Sequence, residues 1–287
     1  MTEKSNFLLT LTASVARILP DWVKRGLYRS GPLARGIRRA LNRSAPLGLT
    51  IVSVAAGSLK DKKMLLDLQT EKDYWLGTYE PELQKAVKDW LKPGWTVYDV
   101  GANIGYVSLI LAHAVGEKGR IYSFEAFPEN IERLQKNVDL NDCNESVQVI
   151  PVAVVDEPRD VHFLVGPSNG MGKVDGSAGR SDVPYSGSMT VPGISLDHFV
   201  YDQGYPAPQA VKIDIEGGEV LALPGMTRLL KDQHPLLFLE LHGQDAARMA
   251  WDILGQAGYS LRRMQPGYPQ VPSLDALEWK TYLVGVP

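Results

Sequence analysis

Two glycines and an acid near position 100 have the spacing of a turn that binds a nucleotide-type cofactor. The segment 94–105 reads GWTVYDVGANIG, so an apolar strand runs into a tight glycine turn. Asp99 stands just before the first turn glycine, Gly101, and Gly105 opens a helix. Glycine at such positions lets the backbone approach a ligand closely. The pattern D-x-G-x-x-x-G departs from the G-x-G-x-x-G of dinucleotide sites.

A second acid lies where such units hold a ribose. Glu125 follows 24 residues after Gly101, at the end of the strand GRIYSFE. In a strand–turn–helix–strand unit, an acid at this place accepts hydrogen bonds from ribose hydroxyls. The alternative is a glycine-rich loop that only allows close packing. The offset of Glu125 favours the binding site.

Five further residues follow two later strands and could handle a proton. Asp214, Glu216 and Glu219 follow the strand VKI, and Glu240 and His242 end the strand PLLFLELH. A carboxylate or imidazole can take the proton of a hydroxyl as that hydroxyl attacks. Other readings stay open: Asp214 orients a helix N-terminus, Glu219 caps a turn, or Glu240 pairs with His242. The acids at 214, 216 and 240 could instead hold a divalent metal such as Mg²⁺, although clustered acids often occur in solvated turns.

The elements around these residues alternate between strand and helix. Hydrophobic runs and turn residues predict strands at 49–56, 63–68, 95–100, 120–125, 147–154, 160–165, 188–192, 210–215 and 235–242, and helices at 81–91, 104–114, 128–139, 195–202, 225–232 and 245–257. A final antiparallel hairpin is expected in 258–287. The βαβαβ order implies a parallel sheet with right-handed crossovers. The first two strands, which lie within residues 49–70, are predicted to form a β-hairpin.

Residues 157–193 interrupt the alternation with a glycine-rich insertion. A long excursion inside a compact domain is often a lid or a binding loop. A plain surface insertion is the alternative.

Composition and charge restrict the class of protein. The chain of 287 residues is 44% hydrophobic and 22% charged, as expected for a globular protein. Residues 1–50 carry a net charge of +7, which leaves −10 for the remainder of a chain whose total is −3. An acidic body argues against nucleic acid as a partner. The single cysteine, Cys143, favours a reducing, cytoplasmic location.

The basic start of the chain, residues 1–48, is predicted to be a helical extension. Apolar residues recur at helical spacing between interspersed Lys and Arg, and no stretch is long enough to span a membrane. Such a segment either lies on the inner face of an anionic membrane as a peripheral anchor or packs on the domain or on a second subunit of a homo-oligomer. A signal peptide is disfavoured because Glu3 weakens its positive start.

Four blocks of sequence together resemble the FkbM family of methyltransferases. They are GTYEPEL, DVGANIGYVSL, VKIDIEGGE and FLELHG, and the resemblance covers about residues 75–245. It implies a Rossmann-like class I methyltransferase fold of the α/β class, with a seven-stranded, mostly parallel sheet whose last strand is antiparallel and inserted. It also implies S-adenosylmethionine as the cofactor. One departure is Gly218, where a His is common in the family.

The resemblance and the turn chemistry together predict two sets of site residues. The expected cofactor-binding residues are Tyr79, Glu80, Asp99, Gly101, Asn103, Gly105, Glu125, Phe127 and Ala153. The expected catalytic residues are Asp214, Glu216, Glu240 and His242. Asp99 would receive the ammonium of the methionine part, Glu125 the ribose hydroxyls, and Phe127 would cover the adenine. Tyr79 and Glu80 either border the methionine end or only begin a helix.

The sequence therefore predicts an S-adenosylmethionine-dependent O-methyltransferase. Its expected acceptor is a sugar hydroxyl in a glycolipid, a polysaccharide or a glycosylated natural product. A non-catalytic cofactor-binding scaffold and an NAD-dependent sugar-modifying enzyme remain as alternatives. The NAD alternative is disfavoured by the spacing of the glycine turn and by the lack of a Tyr-x-x-x-Lys pair downstream.

Overall fold

The computed structural model describes residues 47–167, 170–180 and 182–287, which form two compact units. The first unit contains residues 47–84 and 139–141, and the second contains 85–138 and 142–287. The predicted helical extension at 1–48 lies almost entirely outside the described residues. Within the described ranges, no helix combines the length and the apolar character that a membrane crossing requires.

The first unit is built on an antiparallel hairpin. Its elements are β1 Leu49–Ser53, β2 Lys63–Asp67 and α1 Lys72–Leu76. Ile51 lies opposite Leu65, and β2 buries Met64 and Leu66 while its other residues are more exposed. This alternation is the one expected for a strand with one buried face. The helix α2, Pro81–Trp90, begins in this unit and continues into the second.

The second unit contains the large sheet and its helices. The strands are β3 Thr96–Val100, β4 Arg120–Phe124, β5 Val147–Ile150, β6 Ala153–Val154, β7 Arg159–Val165, β8 Lys173–Val174, β9 Gly187–Ile194, β10 Ala210–Ile213, β11 Leu236–His242, β12 Ser260–Arg263 and β13 Lys280–Val286. The helices are α3 Tyr106–Val115, α4 Pro128–Asp139, α5 Leu196–Tyr201, α6 Glu219–Ala222, α7 Thr227–Gln233 and α8 Gln244–Gln256, with 3₁₀ turns at Pro224–Met226 and Leu274–Ala276.

The large sheet has seven strands in the order β12–β13–β11–β10–β3–β4–β5. The pairs β10–β11, β10–β3, β3–β4 and β4–β5 are parallel. The last strand, β13, is antiparallel to both neighbours and is inserted between β11 and β12. The predicted class I methyltransferase fold is therefore confirmed. Because β10 and β11 are parallel neighbours, their carboxyl ends meet at one edge of the sheet.

The single strand predicted at 147–154 is wrong, because Pro151 divides it. β5 ends at Ile150 in the large sheet, whereas Ala153 and Val154 form β6 and pair with β9 in a separate four-stranded sheet. Proline has no N–H to donate to a ladder, so a strand that continues through it loses a hydrogen bond. The helix predicted at 225–232 also differs, because a 3₁₀ turn precedes α7.

The glycine-rich insertion is organised around this smaller sheet, whose order is β6–β9–β7–β8. β7 pairs along its whole length with β9, from Arg159 opposite Gly193 to Val165 opposite Gly187. The insertion is therefore a small sheet with attached loops, and more regular than the two short strands expected. Phe127 and Phe163 belong to the apolar cluster that packs here, separate from the main core.

The main core lies against the large sheet and contains an aromatic group. Tyr98, Phe124 and Phe199 are fully buried, and their rings meet edge to face at 5.0–5.5 Å between centroids. This edge-to-face arrangement is the favoured geometry for aromatic rings. It fixes β3 and β4 below α5, and so holds the glycine turn that follows β3.

Candidate functional site

The turn after β3 depends on glycines with left-handed backbone geometry. Gly101 has φ of +79° and Gly105 has φ of +87°. The amides of Gly101 and Ala102 donate to the carbonyl oxygen of Phe124 at 3.0 and 2.9 Å. A Cβ added at Gly101 would overlap the carbonyl oxygen of Asp214. Gly101 is therefore required where the turn passes the end of β10, whichever ligand the turn binds.

Asp99 lies inside the sheet and is engaged by two side chains. It is fully buried; Lys212 Nζ lies 3.1 Å from its Oδ1, and Ser108 Oγ donates to its Oδ2 at 2.6 Å. Lys212 also donates to the carbonyl oxygen of Gly101 at 2.8 Å. A buried charge needs such compensation. Asp99 thus ties β3 to β10 and to the glycine turn, and its contact with a cofactor ammonium stays a prediction.

Glu125 holds the loop after β4 through backbone amides. Its Oε2 accepts from the amide of Asn103 at 2.8 Å, and its Oε1 accepts from Ala126 and Phe127 at 3.1 and 2.9 Å. Burial raises the pKa of the Glu125 carboxyl above its ordinary value, although these amide donors oppose the shift. The amides occupy much of the acceptor capacity of the carboxylate. The predicted hydrogen bonds from ribose hydroxyls to Glu125 therefore stay a prediction.

Asn103 stands beside Glu125 with an unsatisfied oxygen. Its backbone has φ of +50°, and its side-chain Oδ1 is buried without a hydrogen-bond partner. Buried polar atoms are nearly always paired, so this oxygen can accept a hydrogen bond from a ligand bound at the turn. Since the oxygen and nitrogen of an amide are assigned by their contacts, Asn103 can offer either a donor or an acceptor.

Phe127 and Ala153 lie together in the apolar cluster below the small sheet. The ring of Phe127 stacks on Phe163 with 6.0 Å between centroids and 14° between planes. Ala153 belongs to β6 and pairs with Gly193, so it does not extend the large sheet. Both residues are buried. The predicted cover of an adenine by Phe127 and the predicted cofactor contact of Ala153 stay predictions.

Tyr79 and Glu80 belong to the first unit and precede α2. The rings of Tyr79 and Tyr74 lie 4.4 Å apart, and the carbonyl oxygen of Tyr79 accepts from Gln84 Nε2 at 2.6 Å. Glu80 has φ of +42°. These contacts organise the start of the helix. The predicted role of the two residues at the methionine end stays a prediction.

The acids after β10 and β11 come together around His242; we call Asp214, Glu216, Glu219, Glu240 and His242 the carboxylate–histidine cluster. The Nδ1 atom of His242 lies 3.3 Å from Glu219 Oε1, and its Nε2 lies 2.9 Å from Glu240 Oε1 and 3.9 Å from Glu216 Oε2. Ligand atoms of Asp214, Glu240 and His242 lie within 4.8 Å of one another. The structure thus gathers the predicted catalytic residues, and it brings His242 rather than Glu216 into the set with metal-binding geometry.

The carboxylates in the cluster determine the charge of its histidine. Burial alone lowers the pKa of His242, but the adjacent carboxylates of Glu219, Glu240 and Asp214 outweigh burial and raise it to about 10. Burial raises the pKa of Glu216. Burial also acts to raise the pKa of Glu240, but His242 and Lys280 hold it below its ordinary value. At neutral pH the cluster therefore holds a protonated imidazole beside the ionised carboxylate of Glu240.

Two lysines at the site were missed by sequence reasoning. Lys280 forms an ion pair with Glu240 Oε1, because β13 places Lys280 opposite His242 in the antiparallel ladder. Lys212 is the partner of Asp99. A lysine inside the apolar strand AVKI was a signal for a buried ion pair, whereas the place of Lys280 followed only from the register of β13.

The insertion lies beside the glycine turn and the loop that carries Glu216 and Glu219. The amide of Ala178 donates to the carbonyl oxygen of Gly217 at 2.9 Å. Lys173 Nζ donates to the carbonyl oxygens of Ala178 and Arg180 at 2.9 and 3.0 Å, which fixes this turn. A Cβ at Gly170 would lie 3.4 Å from Asn103 Nδ2. The insertion therefore borders the site, as a binding loop would.

A protein-family model and a curated relative match most of the second unit. The model, described as the methyltransferase FkbM domain, matches residues 99–261. The hexuronic acid methyltransferase AglP of Haloferax volcanii is 29% identical over 258 residues, which cover 88% of this chain and 92% of the relative.

Solved structures with similar folds include two methyltransferases. The methyltransferase FkbM from Methylobacillus flagellatus KT aligns with a TM-score of 0.45 and 19% identity, over 76% of this chain and 54% of that chain. This chain thus spans about half the length of that protein. The precorrin-6y C5,15-methyltransferase from Geobacter metallireducens GS-15 aligns with a TM-score of 0.43 and 14% identity, over 72% of this chain and 87% of that chain.

Proposed function

Since the chain belongs to the FkbM family of S-adenosylmethionine-dependent methyltransferases, we propose that it methylates a hydroxyl of a sugar. The acceptor sugar belongs to a glycolipid, a polysaccharide or a glycosylated natural product. The observation that carries the proposal is the carboxylate–histidine cluster, which lies at the sheet edge where β10 and β11 end. Ligands of open α/β sheets bind at this edge.

The glycine turn and its neighbours fit the cofactor. Glu125 is a carboxylate at the strand end where nucleotide-binding units hold a ribose. The side-chain oxygen of Asn103 is buried without a hydrogen-bond partner, so it can accept a hydrogen bond from the methionine part of the cofactor. S-adenosylmethionine supplies an electrophilic methyl group on its sulfonium. Gly101 and Gly105 give the turn its left-handed backbone geometry, which lets the main chain pass close to a ligand.

Acids of the cluster are the candidates for the general base. A sugar hydroxyl is a very weak acid, so its proton must leave as the oxygen attacks. With a pKa of about 10, His242 already carries a proton at neutral pH and cannot take another. Asp214, Glu216 and Glu240 are the carboxylates that can accept it, and protonated His242 keeps Glu240 ionised until the proton is transferred. Holding the hydroxyl in line with the methyl group provides much of the remaining acceleration.

A hexuronic acid is the first acceptor to test. A relative that is named a hexuronic acid methyltransferase covers 88% of this chain. An anionic sugar would be repelled by the acids of the cluster unless cations stand nearby. Lys280 is paired with Glu240, and Lys173 and Arg180 lie close enough to Glu216 for their charges to interact with it. These cations offset part of the negative charge that an acceptor with a carboxylate would meet, although Arg180 is itself paired with Asp182.

The experiment is methyl transfer from labelled S-adenosylmethionine to a panel of uronic acid and neutral glycosides. We expect labelled product from a uronic acid glycoside, with the methyl group on a hydroxyl as an ether that survives mild alkali. An alkali-labile methyl ester would instead show that the acceptor is the sugar carboxylate and not a hydroxyl. Cofactor binding without transfer to any glycoside would favour the non-catalytic scaffold.

Variants then test the cluster. We expect Asp214→Asn and Glu240→Gln to lower turnover by about 10²–10⁴-fold while cofactor affinity changes little, because general-base catalysis contributes about that factor. Glu157→Gln, at an exposed carboxylate on the small-sheet side of the chain, is the control. Wild-type turnover in both cluster variants would assign these acids a structural role.

A further inference from the structure

Three side chains that can bind a metal ion, two of them buried, lie together at the ends of β10 and β11. Their arrangement suits metal binding as well as proton transfer. We propose that Asp214, Glu240 and His242 bind one divalent transition-metal cation, Mn²⁺ or Zn²⁺. The catalytic use of this cation rests on the proposed function. Its binding does not, and can be measured without cofactor or acceptor.

The distances suit a single ion. One atom from each of the three residues lies within 4.8 Å of the other two. Metal–ligand bonds of about 2.0–2.2 Å place two ligands of one ion roughly 3–4 Å apart. Small side-chain rotations therefore close the set around a cation. The backbone of Asp214 is fixed on both sides, since its amide donates to the carbonyl oxygen of Val100 at 3.2 Å and its own carbonyl oxygen abuts Gly101.

A second carboxylate already orients the imidazole for coordination. Glu219 is fully buried, and its Oε1 lies 3.3 Å from Nδ1 of His242. The same oxygen accepts from the amides of Ile215 and Gly217 at 3.2 and 3.4 Å, so it is itself held in place. Histidine ligands of metals almost always donate their second ring N–H to such a partner. With Nδ1 engaged, Nε2 is the atom directed at Glu240.

Two buried atoms that face this space lack hydrogen-bond partners. Nε2 of His242 lies 2.9 Å from Glu240 Oε1 but is not aligned for a hydrogen bond, and Oε2 of Glu240 has no partner. Both side chains are at least nine-tenths buried. Buried polar atoms without partners are rare and costly. A cation that binds His242 Nε2 and Glu240 Oε2 satisfies both atoms at once.

Lys280 would compete with a metal ion for Glu240, since it already forms an ion pair with that carboxylate. Its side chain is 43% exposed, so its ammonium group can move into water without becoming buried elsewhere. The proton on His242 is the second rival, and a cation would replace it in the same field of carboxylates. A bound metal therefore competes with two cations that the cluster now holds.

The ligand set selects among metals. Two carboxylates and one imidazole leave coordination positions open for water or substrate. Imidazole suits Zn²⁺ and other transition ions, whereas Ca²⁺ and Mg²⁺ prefer oxygen ligands throughout. In the proposed reaction, an acceptor hydroxyl bound at an open position would have a lowered pKa. Of the candidate bases, Glu216 lies outside the ligand set and would take the proton.

Calorimetry and spin resonance test the proposal on the tag-free, chelator-treated full chain, with MnCl₂, ZnCl₂ and CaCl₂ and no cofactor. We expect one saturable site for Mn²⁺ and Zn²⁺ and weaker uptake of Ca²⁺. The electron spin echo of bound Mn²⁺ should show nitrogen coupling from one imidazole. No saturable uptake below about 1 mM, or no nitrogen coupling, overturns the proposal; both readouts use the wild-type protein.

Variants assign the ligands. Asp214→Asn, Glu240→Gln and His242→Gln should each weaken Mn²⁺ affinity by at least about tenfold, and Glu219→Gln by about 10–100-fold. Lys280→Met should bind Mn²⁺ as tightly as the wild type or more tightly, because a competing cation is gone. His113→Gln and Glu117→Gln change exposed residues and serve as controls. Unchanged affinity in the folded ligand variants overturns the assignment. A protein that binds Mn²⁺ but methylates no glycoside contradicts only the proposed function.

Discussion

At the scale of single residues, the glycine turn is constrained by its neighbouring backbone as much as by a ligand. Gly101 combines a positive φ with a contact that leaves no room for a Cβ beside Asp214. A substitution there would disturb the turn before any cofactor arrives. If a Gly101 variant loses cofactor binding, the loss would therefore combine misfolding of the turn with any loss of direct contact to the cofactor.

We expect Gly101→Ala to lower the free energy of unfolding by about 2–4 kcal/mol. The left-handed backbone costs a residue with a Cβ about 1–2 kcal/mol, and the overlap with Asp214 adds to it. Gly94→Ala is the control, because Gly94 has φ of +82° but open space around its Cβ position. Urea denaturation of both variants compares the two effects. Equal losses at 101 and 94 would remove the role of the Asp214 contact.

Glu125→Gln should weaken binding of S-adenosylhomocysteine by about 1–3 kcal/mol, because hydrogen bonds to a charged acceptor are lost. The glutamine side chain would also place an NH₂ group beside backbone N–H groups, from which Glu125 now accepts hydrogen bonds. Calorimetry measures the affinity, and circular dichroism checks that the loop survives. Glu132→Gln, at an exposed position on α4, is the control. An unchanged affinity would place the ribose elsewhere.

At the scale of elements, β3 and β10 are joined by a buried ion pair as well as by their ladder. Lys212→Met should lower the free energy of unfolding by about 3–5 kcal/mol, because it leaves Asp99 charged and buried. Adding Asp99→Asn should recover part of the loss. Lys85→Met, which removes an exposed pair with Asp89, should change stability by less than about 1 kcal/mol. Chemical denaturation of the four proteins checks the ordering, and a loss at 212 no larger than at 85 would contradict it.

The insertion should affect the acceptor more than the cofactor. Lys173 is buried and binds the carbonyl oxygens of Ala178 and Arg180. Lys173→Met would free this turn, so we expect the KM for the acceptor to rise roughly tenfold while affinity for S-adenosylmethionine changes little. Steady-state kinetics measures both, with Lys231→Met at an exposed position as the control. A matching loss of cofactor affinity would show that the insertion holds the cofactor instead.

Much of the large sheet followed from the sequence because its signals are local. Apolar runs bounded by glycine and proline predicted β3, β4 and β10 to within one or two residues. The division at Pro151 was visible in the sequence but was outweighed by the apolar run around it. Lys280 could not be placed, because its neighbours depend on the register of an antiparallel strand about 40 residues beyond β11. The grouping of His242 with Glu219 likewise depends on a loop conformation, including the φ of +54° at Glu216.

At the scale of the whole molecule, the charges of the chain are divided. Residues 1–50 carry +7 and the remainder −10. Most of the basic part lies outside the described residues, so its role rests on the sequence alone. As an anchor on anionic lipid, each basic side chain would contribute roughly 1 kcal/mol.

Removal of residues 1–45 should therefore abolish binding to anionic vesicles and leave S-adenosylmethionine binding intact. Binding of the full chain should be strong at low salt and weak at about 0.5 M, where charges are screened. Vesicle sedimentation measures both. If the segment is instead a packing arm, the full chain will ignore vesicles at every salt concentration. The shortened chain will then lose thermal stability or change its oligomeric state in size exclusion.

The inserted strand β13 has a consequence for the timing of synthesis. It lies between β11 and β12 and supplies Lys280 to the cluster, although it is made after both of them. A ribosome-bound chain that stops before residue 280 has β11 and β12 without the strand that separates them, and Glu240 without its ammonium partner. Domains generally form as units during translation. The carboxylate–histidine cluster would therefore acquire its final electrostatic balance only after translation has passed β13, so a nascent chain would remain inactive until then.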